Sequence, residues 1–149
     1  MIPALEDGVL SEGVHDCTFE ELERVFGQFQ CSDRRIGLTA KLKAYLDEVR
    51  NSGLASAVII DGSFTTAKDE PEDIDLIVVL KPDVPWESLR PFEYNAVSKR
   101  VIKQRYRFDA FPYPEASTKY HELLELFQQV RPEAAYTSRS RKGVLRVQL

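Results

Sequence analysis

The sequence predicts an α+β chain in which a small mixed β-sheet is packed with helices. Three observations predict it. Amphipathic helical stripes alternate irregularly with short apolar runs, in the order helix, helix, strand, strand, helix, strand, helix, strand. The two central runs are β-branched and apolar on both faces, as buried strands are. The helices carry one apolar face each, enough to cover at least one side of a sheet. This order argues against a purely parallel, doubly wound sheet.

Each element has its own signal. Residues 1–17, with Pro3 and Gly8, read as an extended lead-in. Thr18-x-x-Glu21 is a capping box that opens a helix with Phe19, Leu22, Val25, Phe26 and Phe29 on one stripe. Ser32-Asp33 caps a second helix, whose stripe is Leu38, Leu42, Tyr45, Leu46 and Val49 and whose stop is Gly53. Residues 57–61 are a short buried strand, and 64–72 a charged, Pro71-containing loop or single helical turn. Residues 73–80 form the next strand, ended by Lys81-Pro82. Residues 92–104 read as one helix with Tyr94, Val97, Val101 and Ile102 inward. A third strand covers 107–111, stopped by Pro112 and Pro114. A helix over 117–130 turns Tyr120, Leu123, Leu124, Phe127 and Val130 inward, and 143–149 alternates as a final strand.

At 149 residues the chain is expected to be one domain, 1–149. No apolar run approaches the roughly 20 residues of a membrane span. The acidic opening MIPALEDGVLSEG lacks the pattern of a signal peptide, so no membrane partner and a cytoplasmic location are expected. Cys17 and Cys31 are not spaced as a metal knuckle and are expected to stay thiols. A net charge of -4 argues against a protein that coats nucleic acid. The charge is uneven, however. Residues 1–75 carry 7 Lys/Arg and 16 Asp/Glu, and residues 76–149 carry 13 and 8. The basic half, with Lys99, Arg100, Lys103, Arg105, Arg107, Arg139, Arg141, Lys142 and Arg146, suits an anionic substrate or triphosphate; the alternative is a solvated surface.

The chemistry concentrates in VIIDGSFTTAKDEPEDIDLIVVL, residues 58–80. An apolar run ends in Gly62-Ser63, and after nine residues Asp73-Ile74-Asp75 opens the next run. Two aspartates at i, i+2 on a strand share a face, with their carboxylates about 6–7 Å apart. Alone they repel. A hard divalent cation removes the repulsion, and phosphoryl-transfer sites hold two such ions about 3.5–4 Å apart. A third carboxylate is expected from a neighbouring strand. Asp109 is the only aspartate after Asp83, and it lies in an otherwise apolar strand where a bare carboxylate is costly. Gly62 permits backbone geometry closed to other residues, and Ser63 adds a hydroxyl beside free N–H groups, a nest for phosphate oxygens. Thr65, Thr66 and Lys68 follow within reach of a triphosphate. His15 and His121, the two histidines, read as structural, so no general base is evident. A two-metal nuclease also uses clustered carboxylates, but the Gly-Ser turn favours transfer over hydrolysis.

The Gly62-Ser63, Asp73-Ile74-Asp75-Leu76 and Asp109 pattern, over residues 54–112, resembles the DNA polymerase β-like nucleotidyltransferase superfamily. The resemblance implies a palm-like fold, two Mg²⁺ (or Mn²⁺) on Asp73, Asp75 and Asp109, and an NTP whose phosphates meet Gly62 and Ser63. Over nearly the whole chain, Ile2-Pro3, Gly13-Val14-His15, the Phe-Glu-Glu-Leu helix, GSFTTAK and Arg141-Lys142-Gly143-Val144 resemble small prokaryotic nucleotidyltransferase-like proteins, whose wider group includes antibiotic-modifying enzymes and toxin–antitoxin components. That likeness implies transfer of an NMP to a hydroxyl of RNA, protein or a small molecule. A catalytically silent binding module (antitoxin or scaffold) is the alternative, and the oligomeric state stays open.

Overall fold

The two apolar runs at the centre of the sequence pair with each other at the centre of the structure. The computed structural model describes residues 1–149. Strand β2 (Ala55–Asp61) runs antiparallel to β3 (Asp75–Leu80), and every residue of β2 except Ser56 is buried. Strand β5 (Gly143–Gln148) flanks β2 antiparallel, and β4 (Asp109–Pro114) flanks β3 in parallel. Strand β1 (Gly13–Cys17) closes the edge beside β5, also in parallel. The five strands form one mixed sheet in the order β1-β5-β2-β3-β4.

Five helices cover this sheet unequally. Helices α1 (Phe19–Phe26), α2 (Arg34–Ser52), α3 (Pro91–Val97) and α4 (Lys99–Tyr106) pack on one face, where Val58, Ile60, Leu76, Val78, Ala110 and Leu145 join the main core. The residues between them, Ala57, Ile59, Ile77, Val79 and Val144, point the other way, as the two-residue strand period demands. They meet only Tyr120 and Phe127 of α5 (Thr118–Phe127) as buried partners. The thinly covered face is the one on which the site lies. No helix is long and apolar enough to cross a membrane.

Several boundaries depart from the sequence reading, each for a local reason. The last five residues of the expected lead-in form β1, because β5 offers them a parallel partner. Helix α1 stops at Phe26, where Gly27 caps it, so Phe29 falls outside the helix and is 64% exposed; Val25 is also exposed. The single helix expected over 92–104 is two. Ser98 takes an extended conformation that ends α3, and its hydroxyl accepts from the Val101 amide to start α4. Tyr94, within α3, is exposed rather than inward. Pro112 and Pro114 do not stop β4 but lie within it. They are tolerated because β4 is an edge strand, where a missing N–H need not break a ladder.

Candidate active site

Register builds the site. Asp61, the last residue of β2, lies opposite Asp75, the first of β3, and Asp75 lies opposite Asp109, the first of β4. Each follows the alternation of the α5 face, so three carboxylates stand side by side at one end of the sheet. Directly opposed residues have Cβ atoms about 5 Å apart. Asp73 does not belong to the strand as expected; it precedes β3 by two residues. Its Oδ1 accepts from both the Ser63 amide (3.0 Å) and the Ser63 hydroxyl (2.7 Å).

The electrostatics follow from this crowding. Burial, and then repulsion from Asp73, Asp61 and Asp109, push the Asp75 carboxyl up to about 7, against the pull of Lys142. No protein hydrogen bond compensates it. Asp61 is 4% exposed and pairs with the Nζ of Lys142, itself 6% exposed. Burial holds the Asp61 carboxyl above the usual carboxylate range, and Lys142 and the Gly62 amide oppose that shift. Asp109 Oδ1 accepts from Lys103 Nζ at 2.9 Å in a half-exposed pair.

The loop after β2 is held by devices of its own. Gly62 has φ 95° and ψ −176°, a region closed to residues with a Cβ. A Cβ there would stand 2.8 Å from the Asp73 carbonyl oxygen and 3.2 Å from the Asp75 amide. Gly62→Ala is expected to lose at least about 2 kcal/mol of stability, the cost of that strain, measured by urea unfolding; an unchanged midpoint would contradict the close approach. Arg35 of α2, 2% exposed, reaches under the same loop. Its guanidinium donates to the carbonyls of Phe64 (2.7 Å), Thr66 (2.7 Å) and Lys68 (2.6 Å), and to Phe26 at 3.2 Å.

The structure brings together Asp73, Asp75, Asp109, Gly62 and Ser63, but uses the turn differently from the sequence reading. The Ser63 amide and hydroxyl both donate to Asp73 Oδ1, so in this structure they orient a carboxylate. Thr66 is buried, its hydroxyl donating to the Ser63 carbonyl at 2.6 Å, and so it braces the turn. Lys68 lies on the exposed side, its Nζ 3.9 Å from Glu72. His15 bonds the Ser11 carbonyl and His121 stacks edge-on against Tyr120. Asp61 and Arg35 have no place in the sequence reading of the site, and Lys103 and Lys142, read there as charges for an anionic substrate, instead pair with Asp109 and Asp61. The one sequence signal for Asp61 is a charge ending the run Ala57–Ile60, directly before Gly62.

Asp61, Asp75 and Asp109 lie in a row, and no three of the chain's His, Cys, Asp and Glu side chains form a ready-made cation cage. The donor set nonetheless suits a hard divalent ion. Asp75 has no protein donor, and both Ser63 bonds to Asp73 go to one oxygen. The exposed Lys103 pair is worth about 1 kcal/mol or less, so Asp109 is cheap to recruit. Asp73, Asp75 and Asp109 would be the ligands. A cleft of about 510 Å³ lies at the opposite end of the sheet among Asp16, Thr18, Glu20, Lys43 and Gln148 and touches none of these residues.

A family model described as a family of unknown function, DUF6932, matches residues 2–148. No curated protein and no solved structure matches the chain.

Proposed function

We propose that this chain, which belongs to the DUF6932 family, is a metal-dependent nucleotidyltransferase that moves an NMP from an NTP to a hydroxyl acceptor. The single observation that carries the reading is the half-buried Asp75 carboxyl, without a hydrogen-bond donor and between Asp61 and Asp109 in the row. Burying an unpaired charge among like charges is unfavourable unless something else meets it. In this reading the β2–β3–β4 portion of the sheet is the palm of a polymerase β-like nucleotidyltransferase fold.

Bound at Asp73, Asp75 and Asp109, Mg²⁺ or Mn²⁺ would polarise the acceptor oxygen and neutralise charge on the leaving group. The chain's own residues do the rest. Ser63 fixes the Asp73 carboxylate through two hydrogen bonds. Gly62 lets the Asp73–Asp75 backbone pass close to the turn. Lys68, exposed beside the turn, is available to the β- and γ-phosphates. The acceptor oxygen forms its bond to the α-phosphorus as the bond from that phosphorus to pyrophosphate breaks, and the hydroxyl proton passes to solvent. The acceptor is RNA, a protein or a small molecule.

Incubation with labelled NTPs, Mg²⁺ and a cell extract is expected to label one fraction of the extract, and to do so only with the divalent ion present. A second reading, a catalytically silent binding module, is favoured by one observation: the Ser63 amide and hydroxyl are already committed to Asp73. Calorimetry separates the two. Heat on titrating Mg²⁺ and NTP supports the enzyme; its absence for every NTP supports the module.

A further inference from the structure

Buried next to the three proposed ligands is a fourth carboxylate that the proposed chemistry does not use. Asp61 shares the register row with Asp75 and Asp109, on the same face and in the next strand. Unlike them it is fully withdrawn from solvent, and its partner is equally withdrawn: Lys142, the residue just before β5, with its Nζ on Asp61 Oδ1. The Lys142 backbone is fixed as well, its amide donating to the Gln128 carbonyl at 2.9 Å. A buried ion pair of this kind is not an efficient source of stability, since apolar residues of the same volume do as well or better. Its position suggests an electrostatic use.

We propose that the Lys142–Asp61 pair sets the charge of the carboxylate site: Lys142 withholds Asp61 from the metal-binding set, so that a cation meets three carboxylates and not four. The inference rests on the metal-dependent reading and concerns which of the chain's carboxylates take part. The consequence is a balance. A fourth free carboxylate would bind a bare divalent ion more tightly, but it would also repel a triphosphate arriving with its own negative charge. Lys142 is a positioning residue in this scheme. It acts through Asp61, which stands about 5 Å from Asp75, a range over which one unit charge matters strongly to a divalent ion.

Three variants test the scheme through binding of Mn²⁺ alone, followed by the signal of the free ion, with no turnover required. Lys142→Met frees Asp61, whose buried carboxyl gives up its proton as the ion binds, and is expected to bind Mn²⁺ about tenfold more tightly than the wild type. Asp61→Asn leaves Lys142 as an unpaired positive charge and is expected to bind about tenfold more weakly. The double variant removes both charges and is expected to return to within about twofold of the wild type. Should Lys142→Met fail to fold, the Asp61→Asn and double variants still decide the matter. Equal Mn²⁺ affinity in all folded variants would overturn the proposal, because a purely structural pair leaves cation affinity unmoved. A wild type that binds no Mn²⁺ would sink the metal-dependent function. In that case the charge-setting role stands only if Lys142→Met gains binding, and it falls if that variant binds none.

Discussion

Asp75→Asn is expected to abolish nucleotide transfer while making the metal-free protein more stable at neutral pH. Removal of a ligand at the centre of the row should cost at least about a thousandfold in rate, or about 4 kcal/mol of barrier. Transfer at the wild-type rate would show that the assignment is wrong. The stability change has a separate origin. Burial and the neighbouring carboxylates push Asp75 from the usual carboxylate range up to about 7 in the folded chain. A raised carboxyl binds its proton more tightly when folded than when unfolded. Its favourable contribution is therefore fully present below about pH 4 and is lost as pH rises to about 7. Without metal, the wild-type melting temperature should fall between pH 5 and pH 8, and Asn should flatten most of that fall. Some slope remains, because the Asp61 carboxyl is also raised. Added Mg²⁺ should stabilise the wild type more at pH 8 than at pH 5, since only the charged carboxylate binds it. A melting temperature independent of pH from 5 to 8 would contradict the crowding of the row.

Arg35→Ala is expected to cause the largest loss of stability of any single substitution in this loop, at least about 3 kcal/mol. One buried guanidinium satisfies four backbone carbonyls, those of Phe26, Phe64, Thr66 and Lys68. It also lies over the Phe26 and Phe64 rings, 6.0 and 5.6 Å from their centroids. Truncation leaves those carbonyls without a donor in a site closed to water, and adds a cavity. Arg35→Lys should rescue little, because a single ammonium cannot span the four acceptors that the planar fork reaches. Urea unfolding measures both variants. A lysine variant as stable as the wild type would show that charge alone, and not the fork, holds the loop.

The legible part of this molecule lies where local chemistry repeats. Leu42, Tyr45, Leu46 and Val49 announce α2 by their spacing, and all four are buried. The two β-branched runs announce β2 and β3, although Asp73 falls before the strand and not within it. Gly62 and the aspartates mark the candidate site because a glycine before charges, between apolar strands, has few structural uses. Other features were less legible because they depend on partners distant in sequence. Pro112 and Pro114 read as breakers until β4 is known to lie at the edge. Ser98 reads as a helical residue until its extended backbone separates α3 from α4. Ser63 reads as part of a phosphate cradle until its amide and hydroxyl are seen to bond Asp73. Lys142 reads as one charge in a basic tract, because nothing near it in the chain reveals a carboxylate 81 positions away.

By itself, then, the sequence determined the class of the fold, the runs that form its centre, and the carboxylates Asp73, Asp75 and Asp109 as a set to be considered together. Periodicity and composition carry that information, and both are local. Tertiary structure alone decided the register that lines up Asp61, Asp75 and Asp109, the buried Lys142 that neutralises one of them, and the Arg35 fork beneath the loop. The physical reason is that strand register and buried charge pairing are set by which segments meet, and a one-residue slip in β3 or β4 would carry Asp75 or Asp109 to the opposite face.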